Sequence, residues 1–248
     1  MDDERNIMAI DCFLLAGRIM IESGAETYRV EDTMLRMARS QDMKDAQSYV
    51  TPTGIIFSLG KTQPTRITSI PTRITDLHRI VLVNDVSRKL TSRTITLEQA
   101  YDELKKIERT NYFLPILIQV LAASLTSSCF LLMFKGGVMD IPAAFIAGGI
   151  GLYIVSIIHY MTRVKFFSEF LASVSVAIVA SFASYLGFGL EIDKIIIASV
   201  MPLVPGLLLT NAVRDLMAGH FTAGMAKGAE ALLTAFAIGS GVALVLAF

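Results

Sequence analysis

The stretch Tyr112–Phe134, YFLPILIQVLAASLTSSCFLLMF, holds 23 residues without Asp, Glu, Lys or Arg, and its reading decides the fold. A helix needs about 20 apolar residues to cross a hydrocarbon core of roughly 30 Å. Four more runs of this kind follow: Ile141–Thr162, Phe170–Leu190, Ile195–Val213 and Ala231–Phe248. Charge divides at the same border. Residues 1–113 carry 32 of the 44 formal charges, 16 of each sign, and the remaining 135 residues carry 12. A soluble core of this size cannot bury five such runs. The expected architecture is an α-helical membrane protein: a small cytosolic α+β domain over residues 1–111, then five transmembrane helices over 112–248.

The zero net charge and pI near 6.8 conceal that split. Acids and bases are matched in the first part, which excludes a nucleic-acid surface. Residues 1–30 contain no apolar signal-peptide region, so the head is expected to stay in the cytoplasm. The loops near 163–169 and 214–230 carry Arg163, Lys165, Arg214 and Lys227, against Lys135 and Lys194 on the opposite side. That bias puts the N-terminal domain inside and the C-terminus outside. Cys12 and Cys129 lie far apart with no CxxC spacing, so buried thiols are expected rather than a disulfide. No pair of His, Cys or carboxylates has metal-site spacing, and no cofactor is expected.

Within the head, residues 4–22 read as an amphipathic helix with Met8, Cys12, Leu15 and Ile19 on one stripe. Ser23 and Glu26 have capping-box spacing for a second helix through about Arg39. Strands are predicted at Gln47–Thr51, Gly54–Leu59 and Thr65–Ile70, separated by Thr51-Pro52-Thr53-Gly54 and Gly60-Lys61-Thr62-Gln63-Pro64. A helix near Asp76–Leu90 follows, and Thr96 with Gln99 opens another, with Leu97, Ala100, Leu104 and Ile107 inward. The order ααβββαα describes an antiparallel α+β domain. His78 has no nucleophile or second base near it in sequence, and no phosphate loop is present. The run Glu22, Ser23, Glu26, Tyr28, Arg29, Glu31 suits a cleft or a solvated helix start equally. Catalysis is therefore the weaker reading, and the protein is not expected to be an enzyme.

In the membrane domain the informative residues are those that cost energy in lipid. Pro202-Leu203-Val204-Pro205-Gly206 lies inside the fourth run. Two prolines remove amide donors and clash with the preceding turn, so a regular helix through this point is disfavoured. Irregular backbone at that depth survives only against protein or a polar cavity. A helix restarting after Pro205 would aim free N–H groups at the midplane and suit a carboxylate. The alternative is a proline kink that shapes packing. Asn211 and Asp215, four apart, share a helical face, with Arg214 beside them. Glu230 follows at the start of the fifth helix, where an intramembrane carboxylate suggests ion or substrate passage. The competing reading has Lys227 and Arg214 simply neutralising Glu230 and Asp215. Gly148, Gly149 and Gly151, with the serines of the first and third runs, favour close helix packing. His159 and His220 read as interfacial.

These residues resemble the threonine/serine exporter (ThrE) family, in the split, YjjP-like form whose larger subunit has a cytosolic head and five helices. In the head the resemblance rests on Glu22-Ser23-Gly24-Ala25-Glu26-Thr27-Tyr28-Arg29-Val30-Glu31-Asp32, Thr51-Pro52-Thr53-Gly54 and Val83-Asn84-Asp85-Val86-Ser87-Arg88. In the membrane it rests on Pro202–Gly206, Asn211-Ala212-Val213-Arg214-Asp215-Leu216-Met217-Ala218-Gly219 and Gly228-Ala229-Glu230-Ala231. It implies an inner-membrane secondary transporter that exports small carboxylate-bearing metabolites, driven by the proton motive force. Fused members carry a second five-helix unit. The present sequence departs from that pattern, which implies a separate five-helix partner, a second copy of the chain, or both.

The leading expectation is the head-bearing subunit of a proton-coupled threonine/serine exporter. Pro202, Pro205 and Gly206 would receive the substrate carboxylate, and Asn211 would bond a polar group. Glu230, with Asp215, would carry the coupling proton. A dicarboxylate exporter is the alternative, succinate being the family's other cargo, with Arg214 as the added cation. The remaining alternatives are a membrane-anchored hydrolase with its site in residues 1–111, and a scaffold subunit.

Overall fold

The structure, a computed structural model, describes residues 2–60 and 65–247, with side chains from residue 5. Lys61–Pro64 of the second expected turn and Phe248 lie outside the described residues. The protein is mostly helical, with one small sheet. By internal contacts it divides into two compact units.

The first unit comprises residues 1–112 and 207–228. Its N-terminal part runs α1 (Asp2–Glu22), α2 (Thr27–Ser40), β1 (Gln47–Thr51), β2 (Gly54–Ser58), β3 (Arg66–Ser69), α3 (Leu77–Thr91) and α4 (Leu97–Arg109). The strands form one antiparallel sheet in sequence order. Thr51 pairs with Gly54, so Pro52-Thr53 is the two-residue hairpin loop, and Ile56 pairs with both Tyr49 and Ile67. Alternation along the strands does the sorting. Val50, Ile55 and Phe57 are buried, while Tyr49, Ile56 and Ile67 face outward. The rings of Phe13 and Phe57 meet edge-on with centroids 5.9 Å apart. Gly17 of α1 lies close against Met34 of α2 and Ile55 of β2: a Cβ there would press on the Met34 thioether and come within 3.1 Å of Ile55 Cδ1.

Thr96 caps α4 in a full capping box with Gln99, and Leu97, Ala100, Leu104 and Ile107 are buried. Asp76 caps α3 by accepting from Arg79 N. The box expected at Ser23 does not form. Helix α2 starts at Thr27 after Glu26, without a side-chain cap from either residue of the expected pair. Residues 207–228 contribute α9 (Gly206–Met217) and the first turns of α10 (Phe221–Leu246) to this unit.

The second unit comprises residues 113–206 and 229–248. It contains α5 (Ile116–Met133), α6 (Ile141–Thr162), α7 (Lys165–Tyr185), α8 (Ile192–Val200) and the rest of α10. Small residues set its packing. A Cβ on Gly148 would lie 2.6 Å from Ser127 Cβ, and one on Gly241 would lie 2.6 Å from Phe170 O. Helices α5 with α6, and α10 with α7, therefore approach nearly backbone to backbone. Large apolar side chains such as Leu117, Leu125, Ile146, Ile178 and Phe236 point outward, as a lipid-facing surface requires.

Among the described residues, four helices are long and apolar enough to cross a membrane: Ile116–Met133, Val138–Thr162, Lys165–Tyr185 and Phe221–Leu246. The pair Ile192–Leu203 and Gly206–Met217 is bent by 60° and brings the number to five if it is one span.

Candidate functional site

The paired prolines end one helix and delay the next. After α8 the chain makes a 3₁₀ turn, Met201–Leu203. Val204 is then extended (φ −64°, ψ 131°), and α9 begins at Gly206. Neither Pro202 nor Pro205 can donate a backbone bond. Val204 N bonds Met201 O at 3.2 Å and Gly206 N bonds Val204 O at 2.8 Å, closing the turn tightly. Space beside Gly206 is open, since a Cβ there would meet nothing within 4 Å.

Five residues beyond Gly206 the helix presents its polar face. Asn211 and Asp215 are both buried, and Asp215 has no exposure at all. Their partners come from the turn after α1. That turn closes in a Schellman-type pattern, with Ala25 N bonding Met20 O, Gly24 N bonding Ile21 O, and Gly24 at φ +86°. It leaves the carbonyls of Gly24 and Ala25 available. Asn211 Nδ2 donates to Gly24 O at 2.8 Å, and Lys227 Nζ donates to Ala25 O at 3.1 Å.

Asp215 supplies the cap that Ser23 does not. Thr27 N donates to Asp215 Oδ1 and Thr27 Oγ1 to Oδ2, both at 2.9 Å. A carboxylate at a helix N-terminus satisfies orphan amides and complements the dipole. Lys227 Nζ completes the charge balance at 2.7 Å from Asp215 Oδ2, and also reaches Thr27 Oγ1 at 3.2 Å. Gly224 makes this possible: a Cβ there would sit 2.6 Å from Leu216 Cγ and 2.9 Å from Ala212 O, so only glycine lets α10 start this close to α9.

Arg214 lies on the rim of the same cluster. Its Nη1 is 2.6 Å from Glu26 Oε1, and Arg29 Nη1 is 3.0 Å from Glu26 Oε2. Burial pushes the Glu26 carboxyl up, but its own backbone N–H and the two guanidiniums outweigh that and hold it below the ordinary carboxylate value. His220 Nε2 lies 3.7 Å from Glu31 Oε2, whose other oxygen accepts Val50 N at 2.9 Å. Gly24, Ala25, Glu26, Thr27 and Arg29 of the head thus meet Asn211, Arg214, Asp215 and Lys227 within the first unit.

Glu230 belongs to the second unit. Its partner is Lys165, with Nζ 2.8 Å from Oε1, while Lys227, three residues earlier, is committed to Asp215. Sequence reading missed Glu169. It sits one turn after Lys165 on α7, 7% exposed, and its Oε2 has no hydrogen-bond partner. The apolar run begins at Phe170, which leaves this acid just outside it. Among the described residues no group of three His, Cys, Asp or Glu side chains is placed to hold a metal.

Several helices long and apolar enough to cross a bilayer define a multi-pass membrane protein. The chain belongs to the ThrE family, whose model is described as "Putative threonine/serine exporter" and matches residues 11–248. It is 21% identical over 250 residues to the "Probable threonine/serine exporter" of Mycobacterium tuberculosis, covering 99% of this chain and 47% of that one. It is 24% identical over 242 residues to the "Probable succinate transporter subunit YjjP" of Klebsiella aerogenes, covering 96% and 92%. The Escherichia coli protein of the same name is 24% identical over 236 residues, covering 93% and 90%. The chain therefore spans about half the length of the mycobacterial relative and nearly all of the other two. These relatives are named as transporters, none as an enzyme. No solved structure matches.

Proposed function

We propose that the chain is the head-bearing subunit of a proton-coupled exporter of threonine- and serine-type small amino acids across the bacterial inner membrane. The observation that carries this reading is the interruption at Pro202–Gly206, with α9 restarting behind an extended residue. A helix start inside a span offers N–H groups and a positive dipole end to a substrate carboxylate. On this reading the bent pair is one span, making five, with residues 1–111 in the cytoplasm and the C-terminus outside. Pro202, Pro205 and Gly206 shape the carboxylate end of the site. Asn211 and Arg214 exchange their bonds to Gly24 O and Glu26 for substrate groups during the cycle. Glu230, with Asp215, carries the coupling proton. A separate five-helix subunit or a second copy completes the pathway, in line with the word "subunit" in the names of the two relatives of similar length.

The test is efflux from vesicles holding this chain with and without a five-helix partner, using labelled threonine. Efflux that follows an imposed pH gradient supports the reading. Efflux indifferent to that gradient, or to replacement of Pro205 and Glu230, refutes it. A second reading is favoured by the succinate named for two relatives. There the cargo is a dicarboxylate and Arg214 meets its second carboxyl, so counterflow with labelled succinate beside threonine separates the two.

A further inference from the structure

The two edges of the small sheet end differently. Along an antiparallel strand, residues alternate between those that bond across the pair and those that turn their amide and carbonyl to the other side. Val50 of β1 turns outward, and its N–H is taken by Glu31 Oε1 at 2.9 Å. On β3, Ile70 N bonds Thr53 O, so in the observed register Arg66 and Thr68 bond to β2. Ile67 and Ser69 therefore turn their N–H and C=O groups away from the sheet. Among the described residues, those groups have no partner.

This free edge borders a cleft of about 410 Å³ between β3, α1 and α4, wholly within the first unit. Leu14 and Leu15 of α1, both nearly buried, give the cleft its apolar lining. Its charges are unequal. Arg66 Nη1 holds Asp11 Oδ1 at 2.6 Å, and Arg18 Nη2 holds Glu108. Each arginine spends one nitrogen on its acid and keeps the other donors of its fork. Lys105 has no carboxylate partner among the described residues, and its ammonium lies 4.4 Å from the centroid of the Tyr101 ring. Three bases against two acids leave one positive charge. Asp11 and Arg18 are seven residues apart on α1, so the two ion pairs are anchored roughly 10 Å apart along that helix, one toward each end of the cleft.

We propose that this cleft is a binding site for a small organic oxyanion, a carboxylate- or phosphate-bearing metabolite, with Lys105 as its counter-charge. The chemistry of the lining selects the ligand. Both acids are engaged, so the donors left over are cationic or neutral: the Lys105 ammonium, the unused guanidinium N–H groups, the Thr68 hydroxyl and the Ile67 amide. An oxyanion accepts from all of these, and the surplus positive charge is cancelled on binding. The ligand's carbon skeleton lies on Leu14 and Leu15, and the volume is in the range of metabolite sites. None of the residues assigned above to transport lines this cleft, so the site does not depend on that reading.

Saturation-transfer NMR on the full chain in lipid nanodiscs, titrated with succinate and separately with inorganic phosphate at low ionic strength, tests the proposal. At least one probe should saturate, and the tighter of the two identifies the preferred acid group. Lys105→Gln should weaken that binding about tenfold. Lys105→Arg should restore most of it, and added salt should weaken it in the parent chain. Helical circular dichroism on heating verifies that each variant is folded. Saturation by neither probe overturns the proposal. Binding that ignores Lys105→Gln but is lost in Asn211→Ala belongs to the transport residues and overturns it as well. If the probes fail and Ile67→Pro instead changes the oligomeric state, the free edge is a strand-pairing surface and the oxyanion site is refuted.

Discussion

Replacing Lys227 by Met keeps the side chain's length and removes its charge. The structure says what is left behind. Asp215 would be a carboxylate without exposure, held by Thr27 N and Oγ1, with Tyr28 N further off at 3.5 Å. Removing one partner of a buried pair costs about 3–5 kcal/mol, because the remaining charge is uncompensated. The Thr27 donors retain part of the compensation, so the lower end, about 3 kcal/mol, is expected. Ala25 O also loses its donor, which adds about 1 kcal/mol. For a chain of this length each kcal/mol shifts the midpoint by roughly 2–4 °C, so Lys227→Met should melt about 8–16 °C lower.

The double variant Asp215→Asn, Lys227→Met leaves no buried charge. Its loss should be about that of one single variant rather than the sum, a coupling on the order of 3 kcal/mol. The buried thiol of Cys12 provides the assay: in a Cys129→Ser background, a thiol-reactive dye reports opening of the first unit on heating. A Lys227→Met chain melting within about 3 °C of the parent, worth roughly 1 kcal/mol, would refute the reasoning. Strictly additive losses in the double variant would refute it too.

Acid should loosen the same cluster. Glu26 is held below its ordinary value, so its contribution is complete above the ordinary carboxylate range and is lost as pH falls through the lowered value. The melting temperature should therefore drop on acidification below about pH 4.5, with a shallower drop in Glu26→Gln, by the same dye assay. Burial, with Glu98 adding to it, pushes the Cys12 thiol up to about 12. Its thiolate fraction at pH 8 is then on the order of 10⁻⁴, and maleimide should label the native Cys129→Ser chain negligibly until it unfolds, as mass spectrometry would record. Gly148→Ala would press a Cβ into Ser127 and should cost about 1–3 kcal/mol. Ser127→Gly in the same chain should return most of it, read from helical circular dichroism on heating.

Local chemistry made much of the helical and strand layout legible. The Thr51–Gly54 turn, the Thr96–Gln99 box and the Asp76 start each act within a few residues, and β1 falls where alternation puts it. Length alone marked four of the apolar runs as long helices, while the fourth run in sequence is a pair of helices bent by 60°. Pairing across the chain was not legible. Ser23 and Glu26 have the spacing of a cap, yet α2 takes its cap from Asp215, 188 residues away, which no window along the chain contains. Lys227 and Glu230 have the spacing of an ion pair, yet each bonds elsewhere. Asn211 is visible as a polar exception inside an apolar run, and Arg214 and Asp215 as charges just past its end, but their partners are not. Glu169 was hidden by its place at the edge of a run.

The loan of a carboxylate from α9 to α2 bears on how this protein can be taken apart. A fragment cut where the hydropathy changes would keep the sheet and its four flanking helices. It would strip the first amides of α2 of their acceptor, strand Glu26 with Arg29 alone, and uncover the carbonyls of Gly24 and Ala25. The smallest self-contained version of that unit is therefore discontinuous, with residues 207–228 grafted back through a designed linker.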